Sequence, residues 1–108
     1  MLARVVEVNI KGGKKQEVET ILQNELLPLL QKQPGFAGYE TLLRETDPNV
    51  TLSISYWQTH EQADTFVDTA AYNAIRNKLQ PLLANDIRPV FYTVEISTQH
   101  HIAFGKAA

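Results

Sequence analysis

Residues 34–63, PGFAGYETLLRETDPNVTLSISYWQTHEQA, decide the fold. Pro34-Gly35 stops a helix. Phe36 to Arg44 predicts a strand, Asp47-Pro48-Asn49 a turn, and Val50 to Trp57 a second strand ending on the only Trp. Thr59-His-Glu-Gln62 has the T-x-x-Q form of a capping box, so a helix starts there. Side chains alternate along a strand, which gives Val50 to Trp57 two unlike faces. Leu52, Ile54 and Tyr56 share one; Thr51, Ser53, Ser55 and Trp57 share the other. Small hydroxyls beside a Trp make a poor hydrophobic core and a plausible wall for a ligand pocket.

Working outward, Ala3 to Ile10 reads as a strand with Val6, Val8 and Ile10 on one face and Val5, Glu7 and Asn9 on the other. Lys11-Gly12-Gly13 turns the chain. Lys14 to Gln33 has helical spacing through Val18, Ile21, Leu22, Leu29 and Leu30, and Pro28 should kink or split it. Asp68-Thr69 breaks the helix that follows Thr59 and caps another, about Ala70 to Leu83, with Ala71, Ile75, Leu79 and Leu82 as its buried stripe. Asn85 to Pro89 is a loop. Val90 to Ile96 is a fourth strand, with Val90, Tyr92, Val94 and Ile96 opposite Phe91, Thr93 and Glu95. Residues 98–108 show no periodicity and read as a tail after a domain of residues 1–97. His100-His101 falls in that tail and needs no metal.

The order β-α-β-β-α-β is α+β and ferredoxin-like: a four-stranded antiparallel sheet with helices on one face. The more apolar strand faces are expected beneath the helices. The mixed faces, with Val5, Trp57 and Phe91 beside Glu7, Ser53 and Glu95, are too apolar for water. A second sheet about 10 Å away would cover them. A homodimer enclosing a part-polar cavity is therefore expected.

Composition narrows the function. The chain has 108 residues, 44% hydrophobic and 20% charged, with a net charge of −2. That is one ordinary globular domain, with no electrostatic footprint for nucleic acid. Without Cys there is no disulfide, thiolate ligand or Cys nucleophile. No apolar run approaches the ~18 residues of a membrane span, and no basic stretch precedes an apolar one at the start. A cytoplasmic protein is expected.

The chain resembles the antibiotic biosynthesis monooxygenase-like family of dimeric α+β barrels. The resemblance rests on V-V-E-V with Gly12-Gly13, P-G-F at 34–36, the strand ending Tyr56-Trp57, Q-T-H-E-Q-A-D-T-F, D-T-A-A-Y-N-A-I and V-F-Y-T-V-E, in that order. It implies oxygenation of a quinol, phenol or enol-type aromatic by O2, with no cofactor and no metal. The haem-degrading branch would need Asn on the first strand, then Trp and His on the later helices. Here Asn9 is on the first strand, Phe66 or Val67 stands for the Trp, and Arg76 or Asn77 for the His. No His lies between Glu61 and Gln99, so the axial ligand is missing.

Within that reading Trp57 is the ring-stacking wall, or else a core or dimer-interface anchor. Ser53 and Ser55 are hydrogen-bond donors to a substrate oxygen, or plain strand surface. Glu7 and Glu95 fall on neighbouring strands; if they meet, each raises the other's proton affinity and one becomes a general base. His60 is a second candidate base. Asn9, Phe66, Tyr72 and Arg76 complete the expected binding set, with Arg76 as an anion clamp and Tyr72 at the mouth. The other readings are a non-catalytic ligand-binding or stress-related barrel, and a haem protein.

Overall fold

The computed structural model describes residues 1–100. The rest of the expected tail, His101 included, lies outside the described residues. The strands are β1 (Leu2–Asn9), β2 (Phe36–Leu43), β3 (Val50–Trp57) and β4 (Val90–Thr93). They form one antiparallel sheet in the order β2-β3-β1-β4. The helices are α1 (Lys15–Ile21), α2 (Leu27–Leu30), α3 (His60–Val67) and α4 (Ala70–Leu79). The ferredoxin-like α+β arrangement expected from the sequence is therefore present. β4 ends at Thr93, three residues short of the expected Ile96. Among the described residues no helix is long and apolar enough to cross a membrane.

Pro28 acts as expected. It has no N–H to return to the preceding turn, and the chain answers with a π turn at Leu22–Leu26 between α1 and α2. The Leu27 N–H reaches back five residues to the Leu22 carbonyl. Thr59 and Thr69 cap α3 and α4, their hydroxyls accepting from the Gln62 and Tyr72 N–H groups at 3.1 and 3.2 Å. Only half of the capping box forms. The Gln62 side chain folds onto Gly35, whose φ of +78° and missing Cβ leave it that space.

The core lies between the helices and one sheet face. Val6 and Val8 of β1 and Ile10 just after it join Val18, Leu22, Leu26, Leu30, Phe66 and Ile75 there, as expected. β3 reverses the expectation. Trp57 is 0% exposed in this core, so Thr51, Ser53 and Ser55 also face the helices, and Leu52, Ile54 and Tyr56 face outward. β4 reverses too: Phe91 pairs with Arg4 on the helix side, and Val90 and Tyr92 point out. The physical reason is the indole. It gains more from complete burial under α3 than three small hydroxyls lose by accompanying it.

The outer sheet face is consequently more apolar than the sequence suggests. It carries Val5, Leu52 and Ile54, with Leu42, Val90 and Tyr92 exposed at 47%, 50% and 56%. His100 lies on the same face, its ring 4.5 Å from that of Tyr56. Tyr56 donates to Glu40 at 2.6 Å, and this bond to the carboxylate, ahead of burial, pushes its phenol pKa up to about 12.

Candidate functional site

β2 and β3 do not pair in one continuous register. Phe36 faces Trp57 and Gly38 faces Tyr56, which leaves Ala37 as the extra residue of a β-bulge. The bulge lets both Phe36 and Tyr39 face the helices. Phe36 meets Trp57 edge-on at 5.8 Å. Tyr39 stands opposite Ser55, and its hydroxyl lies 2.7 Å from Ser53 Oγ. Burial raises the Tyr39 pKa above its ordinary value, more than the Ser53 bond lowers it. Tyr39 is thus a neutral phenol at physiological pH.

Tyr39 and Ser53 border an inner cavity of about 60 Å³ between the sheet and the helices. Its apolar wall includes Val6, Val8, Leu22, Leu26, Phe66 and Ile75. Two of these, Leu22 and Leu26, come from the π turn, a local geometry that often marks functional sites. Beside it lies an outer, more polar cavity of about 340 Å³ bordered by Asp68, Asn73 and Pro89. Arg4, Tyr72, Arg76 and Ile87 border both. A cavity that holds benzene measures about 150 Å³. A ring therefore enters the inner cavity only by spanning into the outer one or by displacing a wall.

An aromatic row leads to the junction of the two cavities. The Trp57 and Phe66 rings meet at 5.3 Å with a tilt of 32°, and Phe66 lies 4.9 Å from Tyr72. Arg4 donates to the Tyr72 hydroxyl at 3.2 Å and stands over its ring, 5.6 Å from the centre.

The residues expected at the site are only partly brought together. Ser53, Ser55, Phe66, Tyr72 and Arg76 border the inner cavity. Trp57 does not; it lies behind Phe66, with its Nε1–H donated to Ser55 Oγ at 2.9 Å. Its place is the core-anchor alternative. Glu7 and Glu95 do not meet. β1 pairs with β4 only from Leu2–Thr93 to Val5–Val90, so the two acids fall beyond opposite ends of that pairing. Glu7 is exposed on the outer face and bonded to Arg44 at 3.2 Å and to Asn9 at 3.3 Å, which takes Asn9 out of the cavity as well. His60 is on the surface, stacked on Phe91 at 4.3 Å and 3.4 Å from Asp64. None of these four borders either cavity.

Sequence reasoning missed Arg4 and Tyr39. Arg4 carried a signal: it shares the parity of Val6 and Val8, and a cation on a buried strand face asks for a partner. Tyr39 carried none, because its face depends on the bulge.

A four-stranded antiparallel sheet with a part-polar cavity beneath its helices defines the ferredoxin-like α+β class. Within that class, the antibiotic biosynthesis monooxygenase family model matches residues 1–78, and the chain belongs to that family. No curated protein matches its sequence. Solved structures match its fold. A conserved protein from Methanosarcina mazei Go1 is 19% identical over 88% of this chain and 94% of its own, with a TM-score of 0.77. SnoaB, a cofactor-independent oxygenase from Streptomyces nogalater, is 16% identical over 92% and 97%, with a TM-score of 0.78. Rv0793 from Mycobacterium tuberculosis is 10% identical over 90% and 97%, with a TM-score of 0.77. At these identities the likeness is one of fold.

Proposed function

We propose that this chain is a small monooxygenase that oxidises a quinol, phenol or enol-type aromatic with O2 and no bound cofactor. The observation that carries the reading is the Tyr39–Ser53 pair, set in the wall of a mostly apolar cavity whose mouth holds Arg4. Family membership and the oxygenase fold neighbour from Streptomyces nogalater support it. In such a reaction the substrate anion supplies the electrons. One oxygen atom of O2 enters the substrate as a carbonyl, and the other leaves as water. The protein must hold the ring, favour the anion and keep water away.

The neutral Tyr39 hydroxyl donates to the substrate oxyanion, with Ser53 holding the phenol in place. Arg4 lowers the substrate's own pKa by favouring its ionised form. This replaces the general base expected at Glu7, Glu95 or His60. Oxygen uptake with quinols and anthrones in chelator-treated buffer tests the proposal. Uptake well above that of heat-denatured protein is expected; uptake at that baseline across the panel rejects it.

One observation favours binding without turnover: among the described residues Asp86, at the rim, is the only carboxylate bordering the inner cavity, and no His does. Saturable ligand binding with baseline oxygen uptake would establish that reading.

We also propose that two copies pair through their outer sheet faces, covering Leu42, Val90 and Tyr92. Sedimentation should give twice the chain mass, and Tyr92→Lys should shift it toward the monomer. A monomeric parent protein at micromolar concentration would reject the pairing.

A further inference from the structure

Arg4 is half-buried on β1, and its guanidinium has five N–H donors in a fixed fork. The Tyr72 hydroxyl takes one of them. Among the described residues no carboxylate lies within ion-pair distance of it. A guanidinium partly removed from water without a counter-charge is unfavourable, and a neutral phenol offsets little of that. Arg76 lies one turn beyond Tyr72 on α4, borders the same junction and likewise has no ion-pair partner among the described residues. The acids facing this space are Asp86 on the inner cavity and Asp68 on the outer. Asp86 accepts from Gln80 at 3.4 Å. These two acids oppose a dianion more strongly than a monoanion.

Register sets the second half of the argument. Ser55 pairs with Arg4 on one side and Tyr39 on the other, all facing the helices. Their backbones are two strand spacings apart, about 10 Å. Both side chains are long and border the inner cavity. One small ring can therefore present an acidic group to Arg4 and a hydroxyl to Tyr39 and Ser53.

We propose that the junction is an anion-recognition site and that the substrate is a single-ring aromatic or enol monocarboxylate. This rests on the reading of the cavity as the substrate site. The carboxylate pairs with Arg4 as a planar fork and with Arg76 at the mouth, and the oxidisable hydroxyl points to Tyr39. The two cavities suit this size: the inner one alone is too small for a ring, and the outer one takes the remainder.

Calorimetric titration of the full chain without oxygen tests it, using 2,5-dihydroxybenzoate against the neutral, isosteric 2,5-dihydroxybenzamide. The acid is expected to bind about tenfold tighter or more, as for a hydrogen-bonded charge pair. Arg4→Gln should erase the preference and Arg4→Lys restore part of it. If Arg4→Gln melts before it can be titrated, Arg76→Gln, on the exposed side of α4, should still reduce the preference. Equal affinities, a tighter amide, or no binding of either probe overturns the proposal. Acid-selective binding with no oxygen uptake would sink the oxygenase and leave the anion site standing. Uptake with uncharged quinols and no acid preference would do the reverse.

Discussion

Trp57→Ala loses about 3–5 kcal/mol of folding stability, the usual range for truncating a buried large aromatic. Trp57 has 0% exposure and is flanked by Phe36 and Phe66, so its removal leaves a void that rigid neighbours cannot close. Ser55 also loses the donor of its 2.9 Å bond. A domain of this kind has only about 5–15 kcal/mol in total, so much of that margin disappears. Urea denaturation of both proteins measures the difference. A loss under about 1 kcal/mol would show that the indole is not the core anchor described here. Trp57→Phe should fall between, because it keeps most of the packing and gives up the hydrogen bond. Lost activity at this position therefore carries no information about chemistry unless the folded fraction is measured alongside.

Tyr39→Phe should behave in the opposite way. Its fold should survive with a change of about 1 kcal/mol, since one hydrogen bond to Ser53 is lost and the ring remains. Its kcat should fall about 10²–10³-fold, as when a donor to a developing oxyanion is removed. Burial raises the Tyr39 pKa, so the hydroxyl stays protonated and donating through neutral pH. Its contribution should fail only as pH rises above the ordinary tyrosine value of about 10. Oxygen-uptake rates for the two proteins, matched for folded concentration, decide the matter. A rate within about threefold of the parent would remove Tyr39 from the mechanism, because donors of this type are worth far more.

The elements were legible because each has a local cause. Pro28 and Pro34-Gly35 mark the breaks in the first helical run, Thr59 and Thr69 the starts of two helices, and period-2 alternation the strands. What alternation cannot say is which face meets the helices. Leu52, Ile54 and Tyr56 are the more apolar set, yet one fully buried indole on the other side outweighs them. Pairing register was also hidden. Whether Glu7 meets Glu95 depends on β4 starting at Val90 opposite Val5, which no local pattern fixes. The cavity residues Ser53, Ser55, Phe66, Tyr72 and Arg76 were named from sequence; the space they share had been expected on the opposite side of the sheet.

The single extra residue at Ala37 has a consequence for how such a pocket changes over generations. Deleting it would restore unbroken alternation with Phe36 and Tyr39 still beneath the helices, because removing the bulged residue leaves the pairing on either side unchanged. A three-nucleotide deletion at codon 37 therefore spares the phenol, whereas one base substitution at codon 39 can remove it. Among descendants of a common ancestor, loss of the bulge would then change the bend of the strand and leave the hydroxyl in the cavity. An alignment that omits this one-residue gap would pair the tyrosine with neighbours of the opposite face.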